Sequence, residues 1–232
     1  MSTVPRLKIL DYCETALGVL CLRRRELLSR PGTIVTEVTL DHEFLMSSYN
    51  TESENALAAV AIEWHGGREL NVLVGGLGLG YTAHAALACP EVVDVEVLEL
   101  LPQVIDWLSR DLVPLAPLLN SEPRLRVTLG DVFEHLANPP LKRYDAILID
   151  VDHSPDELLD PRNRSFYTVA GLTHVRGHLA AGGVIAVWSS GPNETFSRSL
   201  AEVFSEVKLE TIFWRNDLID RDQRDDLFLA RR

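Results

Sequence analysis

Hydrophobic and polar positions change rhythm twice along this chain. Up to Ser48 they alternate in the manner of strands: "ALGVLCLRRREL" and "TIVTEVTL" are rich in β-formers, and Leu40-Asp41-His42-Glu43-Phe44 reads as a turn between two short strands. A small antiparallel hairpin element is expected over residues 1–50. "TESENALAAVAIEW" then carries apolar residues at helical intervals, with Thr51 and Glu54 in capping-box spacing. From Leu70 onward, strand-like and helix-like segments alternate. "LNVLVG", "VVDVEVLEL", "RLRVTLG", "YDAILID" and "VIAVWSS" are near-continuous Val/Ile/Leu runs. Helices are predicted between them: Tyr81 to Ala88, Pro102 to Leu108, a short one from near Asp131, and Phe166 to Leu179, stopped by Gly182-Gly183. "ETFSRSLAEVFSEV" is a further helix, and "KLETIFWR" and "DLFLARR" are final strands too close together for a crossover, so they should pair antiparallel.

Buried strands separated by helices imply a parallel sheet covered on both faces. The predicted fold is α/β: a doubly wound, mostly parallel, seven-stranded Rossmann-like sheet over residues 51–232, preceded by the small β element. The length of 232 residues suits one such domain, and 46% apolar residues suffice for a substantial core. The formal net charge of −12 argues against nucleic acid and anionic membrane surfaces as partners, and suits a cationic small molecule. Cys13, Cys21 and Cys89 are odd in number and lack metal-type spacing, and "MSTVPRLKIL" has no apolar run of signal-peptide length. The expectation is a cytoplasmic protein with reduced thiols. His42, His84 and His174 show no metal-ligand spacing, and no metal is expected.

In doubly wound sheets ligands bind at the carboxyl ends of the strands, and four successive strand ends here present glycine or acid. Gly75, Gly76, Gly78 and Gly80 sit between the first parallel strand and its helix, where backbone N–H groups face a ligand. Tight strand–helix packing alone would also select them. Glu99 closes the next strand about 20 residues on, where nucleotide-binding folds hold an acid against ribose hydroxyls; an ordinary solvated glutamate is the alternative. Asp131 either caps its helix, holds the exocyclic amine of adenine, or does both. In "DVDHSPDE", Asp150, Asp152, His153 and Asp156 crowd one strand end. Taken alone, Asp150 reads as a helix or loop cap and His153 as a solvated loop residue.

These segments resemble the spermidine synthase family (polyamine aminopropyltransferases), within the class I S-adenosylmethionine methyltransferase fold. "LDHEFLMSS" is similar to the family's hairpin, "VLVGGLGLGYT" to its glycine-rich loop, "VEVLELLPQVI" to its ribose-binding strand and "LRVTLGD" to its adenine-side segment. "YDAILIDVDH" resembles the segment with its catalytic aspartate, and "FYTVAGLTHVRGHLAAGGVIAVW" the helix and strand beyond. The resemblance implies that Glu99 binds ribose, Asp131 adenine, and that Asp150 is the catalytic carboxylate; with it, His153 is either a catalytic base for the amine proton, its pKa raised by Asp152 or Asp156, or a solvated loop residue. The resemblance also implies decarboxylated S-adenosylmethionine or S-adenosylmethionine as co-substrate, a small, cationic amine acceptor, a place in polyamine biosynthesis, and it allows a homodimer. Departures cluster on the amine side. Gly78 stands where the family's loop carries an aspartate, Ser53 and Glu54 replace a tyrosine–glutamine pair, Leu45 or Met46 replaces a hairpin glutamine, and His153 replaces a second aspartate. A loop without its acid lacks repulsion toward the carboxylate of intact S-adenosylmethionine, which is then expected to bind within about tenfold of the decarboxylated form. Methyl transfer to a small molecule is therefore one alternative, and a non-catalytic nucleoside-binding module another. A dehydrogenase fits least, because the acidic cluster has no role in hydride transfer.

Overall fold

The computed structural model describes residues 7–217 and 220–232; the first six positions of the expected N-terminal element lie outside the described residues. That element is larger than a hairpin. Strands β1 (Leu7–Thr15), β2 (Gly18–Glu26), β3 (Ile34–Leu40) and β4 (Glu43–Ser47) form a four-stranded antiparallel sheet in sequential order. The turn read at Leu40–Phe44 is tight, with Asp41 and His42 both at positive φ (47° and 72°), the geometry that suits the twist of a hairpin.

Helix α1 (Glu52–His65) leads into β5 (Leu70–Gly75), α2 (Tyr81–Ala88), β6 (Val92–Glu99), α3 (Pro102–Ser109), α4 (Ala116–Leu119), β7 (Leu125–Leu129), α5 (Val132–Ala137) and β8 (Tyr144–Ile149). A 3₁₀ turn (Pro161–Ser165), α6 (Val169–His178), β9 (Leu179–Ser189), α7 (Glu194–Val203), β10 (Glu206–Asn216) and β11 (Arg221–Arg231) complete the chain. The seven strands from β5 onward lie in the order β10-β11-β9-β8-β5-β6-β7. β5 pairs in parallel with both β6 and β8, and β11 pairs antiparallel with β10 and β9. The predicted doubly wound sheet with an antiparallel finish is therefore present.

Strand order reverses between β5 and β8, so the ends of those strands flank a crevice, the place where such sheets bind ligands. Helices cover both faces over two apolar clusters, one around Leu57, Val72, Val97 and Trp107 and the other around Ile147, Tyr144, Phe196 and Phe228. Leu20, Leu22 and Val38 of the four-stranded sheet belong to the first cluster, which pins that sheet over the α/β layer.

Three local expectations change. The capping box does not form: Glu52, not Glu54, accepts the Thr51 N–H (2.9 Å), while Glu54 accepts from the Ser53 hydroxyl (3.2 Å). α6 begins at Val169 rather than Phe166, because the Thr168 side chain accepts the Gly171 N–H and caps it there. Gly182 and Gly183 do not stop that helix. They lie within β9, where the register slips between Tyr144 and Ala146 of β8, and Gly182 takes φ 75°.

Candidate active site

The glycine loop follows β5 at the crevice. Gly76 has φ 88°, and a Cβ there would lie 2.6 Å from the Asp150 carbonyl oxygen. Close backbone approach is thus required, and what approaches is the end of β8. The Asp150 N–H bonds the Gly75 carbonyl (3.1 Å), and the Asp150 carboxylate accepts from the Thr82 hydroxyl of α2 at 2.6 Å. Gly78 (φ 51°) faces β4, with Met46 Sδ 3.0 Å from where a Cβ would stand.

On the β6 side, Glu99 is 6% exposed and anchors the loop: Oε2 accepts the Leu77 N–H and Oε1 the Leu101 N–H, both at 2.8 Å. Burial pushes its pKa up, while these and neighbouring backbone N–H groups oppose the shift. Each carboxylate oxygen has capacity for a second hydrogen bond, so anchoring the loop and holding a diol are compatible. Asp131 caps α5, with Oδ1 accepting from Phe133 N (2.8 Å) and Glu134 N (3.2 Å). Glu99, Gly76, Gly130 and Asp131 line one side of a cavity whose walls are Leu98, Leu101, Val132 and Phe133. A slot with apolar walls and acids at its edge suits a flat heteroaromatic ring on a sugar.

A larger cavity of about 520 Å³ opens beside it, under the four-stranded sheet. Asp150, Gly78, Met46 and Val151 border both. Glu54 from α1, Asp225 from β11 and His153 line this second space, with Tyr81, Trp188 and Trp214. Asp225 is 7% exposed and accepts the Trp214 indole N–H at 2.7 Å. The three carboxylates act on one another. Burial and then the charges of Asp150 and Asp225 push Glu54 up to about 8. Burial raises Asp150 as well, against the hydrogen bond from Thr82 and with Asp225 adding to the rise. Such a cluster binds a cation readily, because an arriving ammonium removes the mutual repulsion.

The expected partners of His153 take their hydrogen bonds from other groups, although the charge of His153 acts on Asp152. Asp152 is 2% exposed and accepts from Leu159 N (2.7 Å), Asn163 Nδ2 (2.9 Å) and the Tyr167 hydroxyl (2.9 Å), which pins the loop. Asp156 accepts from Asn193 Nδ2 at 2.7 Å. His153 faces the cavity, and its backbone carbonyl takes the Ser190 N–H (2.8 Å). Among the described residues, no group of three or more His, Cys, Asp and Glu is arranged to hold a metal ion.

Sequence reasoning missed Asp225, Thr82 and the arginines Arg23 and Arg25, which also line the larger cavity. For Asp225 a signal existed. It shares a strand face with Leu227 and Leu229, both buried, and an acid in an inward register has a reason to be there.

A spermidine synthase solved in complex with the transition-state analogue AdoDATO superposes with a TM-score of 0.74 at 15% identity, covering 97% of this chain and 72% of that one. The chain has the spermidine synthase fold. The spermidine synthase of Thermotoga maritima gives a TM-score of 0.73 at 16% identity, with the same coverage. In sequence, the chain is 30% identical over 141 residues to the polyamine aminopropyltransferase of Prochlorococcus marinus (strain MIT 9313); the match spans 61% of this chain and 44% of that protein. No family model matches the sequence. The resemblance to spermidine synthases carried by the strand-end motifs thus extends to the whole described fold. Among the described residues, no helix is long and apolar enough to cross a membrane.

Proposed function

We propose that the chain transfers an aminopropyl group from decarboxylated S-adenosylmethionine to a small amine. The observation that carries this reading is the position of Asp150, where the smaller, nucleoside-shaped cavity meets the larger acidic one. In such a transfer the lone pair of a neutral amine attacks the propyl carbon bonded to sulfur. The C–S bond breaks with its electrons going to sulfur, methylthioadenosine leaves, and positive charge passes from sulfur to nitrogen before a proton is lost. A carboxylate at the junction stabilises the developing ammonium and orients the attacking nitrogen. Asp150 has that role in this reading, Thr82 fixes its rotamer, and His153 is the cavity residue suited to take the proton.

Glu99 and Asp131 hold the ribose and adenine, and Gly76 and Gly78 of the loop border the sulfonium, whereas Gly75 and Gly80 line neither cavity: a Cβ at Gly75 would meet Val132 and Ile149, and one at Gly80 would meet Leu119. Glu54 alters the expectation drawn from Gly78. The acid absent from the loop is matched by one on α1 facing the same cavity. Near neutral pH Glu54 holds a proton in the free protein, and the ammonium of the decarboxylated co-substrate favours its ionised form. The carboxylate of the intact one adds an anion to a cluster that already repels itself, so the decarboxylated form is favoured. The division at residue 50 belongs to the same reading: the N-terminal sheet roofs the acceptor space of the Rossmann-like domain. The sequence likeness to a polyamine aminopropyltransferase supports this reading over methyl transfer.

Calorimetry with the two co-substrates tests it. Tighter binding of the decarboxylated form by more than about tenfold is expected. Equal binding, or preference for intact S-adenosylmethionine, would favour methyl transfer instead.

A further inference from the structure

We propose that the acceptor carries an anionic group besides its amine, and that Arg23 and Arg25 bind that group. The inference rests on reading the larger cavity as the acceptor site, and adds the class of acceptor.

The chain has a net charge of −12, yet one wall of this cavity is cationic. Arg23 stands opposite Glu37 in the β2–β3 register, and Arg25, two residues along, lies on the same face. Glu37 is 3% exposed and takes both guanidiniums. Its Oε2 accepts from Arg23 Nε and Nη2, each at 2.9 Å, and its Oε1 accepts from Arg25 Nε at 2.8 Å and Nη2 at 2.6 Å. Burial alone would raise the Glu37 pKa, but the hydrogen bonds from Arg25 and Arg23 carry it below the usual carboxylate range. It is therefore ionised, and two guanidiniums on one carboxylate leave one positive charge over.

A single bidentate arginine would neutralise Glu37, so the second is surplus to keeping that carboxylate paired. Both arginines use the Nε–Nη2 edge, which leaves each Nη1 free of Glu37. Their side chains remain 35% and 31% exposed, on the cavity wall. A partly desolvated surplus charge is costly unless something anionic meets it. Glu52, another acid of the lining, is exposed and turns to the Thr51 N–H. A second guanidinium edge in a concave wall matches carboxylate geometry. The same cavity offers Glu54, Asp150 and Asp225 to an amine, and Phe44, Trp188 and Trp214 add apolar surface to its lining for the chain that joins the two groups. An aminoalkyl carboxylate fits such a space, where a plain diamine leaves the arginine wall unmet.

The test compares 1,4-diaminobutane with ornithine, the same diamine skeleton bearing a carboxylate, by calorimetry on the full chain saturated with methylthioadenosine. Ornithine is expected to bind at least about tenfold more tightly, the discrimination of a charge-assisted bidentate contact. Arg25→Gln should abolish that preference while leaving the affinity for 1,4-diaminobutane within about threefold. Should that variant not fold, Arg25→Lys keeps Glu37 paired yet loses the planar fork, and ornithine alone should weaken. Equal affinities in the wild type, or tighter binding of 1,4-diaminobutane, would overturn the inference. If decarboxylated S-adenosylmethionine then releases methylthioadenosine with both amines alike, transfer stands and the anionic acceptor falls. If neither amine supports release, the transfer reading falls and takes this inference with it.

Discussion

The two cavities that meet at Asp150 are built in different ways. The smaller cavity, read as the nucleoside side, takes Gly76, Glu99 and Asp131 from the ends of β5, β6 and β7, while Leu20, Val38 and Met46 of the N-terminal sheet also line it. Its acids are held by adjacent backbone, Glu99 by Leu77 and Leu101, Asp131 by Phe133 and Glu134. The acceptor side draws on β2, β3, α1, the end of β8 and the β10–β11 hairpin, and its carboxylates meet through space. One is a local motif repeated at each strand end. Both cavities are walled in part by the N-terminal sheet, but the polar groups of the other meet only once that sheet and the last hairpin have closed over the α/β layer. The first tolerates little change without loosening the loop, whereas the second can be retuned by single substitutions.

The sharpest way to separate the two sides is the residue they share. Asp150→Asn keeps the shape and the Thr82 contact but removes the charge. Turnover should fall by roughly two to four orders of magnitude, with methylthioadenosine affinity near wild type. Steady-state kinetics beside calorimetry would show it, and unchanged turnover would remove Asp150 from the chemistry. On the nucleoside side alone, Glu99→Ala should weaken methylthioadenosine binding by about 1.5–3 kcal/mol. Because Leu77 and Leu101 lose their acceptor, the same variant should also melt earlier in a thermal scan. A loss of affinity without a loss of stability would mean that Glu99 does not anchor the loop.

On the acceptor side, Glu54→Gln should bring the affinities of intact and decarboxylated S-adenosylmethionine to within about tenfold, roughly 1.4 kcal/mol. An unchanged ratio would mean another group sets the preference. The smallest effect is on stability. The Glu54 pKa rises on folding, from 4.5 to about 8, so the folded state holds a proton that the unfolded chain releases between those values. Stability of the ligand-free protein should therefore decline as pH rises from about 4.5 to about 8, and Glu54→Gln should flatten that decline in melting temperature.

The same contrast explains what the sequence disclosed. Continuous Val/Ile/Leu strands, glycine at the β5 exit and an acid at each following strand end are local signals, and they disclose the sheet, its antiparallel finish and the polar lining of the smaller cavity. The N-terminal sheet was only partly legible, since β1 alternates with Leu7, Ile9 and Tyr12 outward and lacks the apolar density of a core strand. Helix starts shifted where a side-chain cap decided the boundary, as with Thr168 at α6. Asp225 shows in the sequence only as an acid in an inward strand register, and the Arg23–Glu37–Arg25 group is silent, because their meaning lies in long-range convergence. Glu54 was read as a capping residue because spacing along the chain does not reveal which way a side chain turns.

The central claim is that the junction at Asp150 joins an adenosyl sulfonium to an amine through its propyl chain. The most direct measurement follows product by mass spectrometry when the purified protein receives either decarboxylated or intact S-adenosylmethionine, with 1,4-diaminobutane and ornithine as acceptors. The account predicts amine-dependent release of methylthioadenosine from the decarboxylated form and an acceptor heavier by one aminopropyl group. Formation of S-adenosylhomocysteine and a methylated amine from the intact form, with no methylthioadenosine from the other, would contradict it.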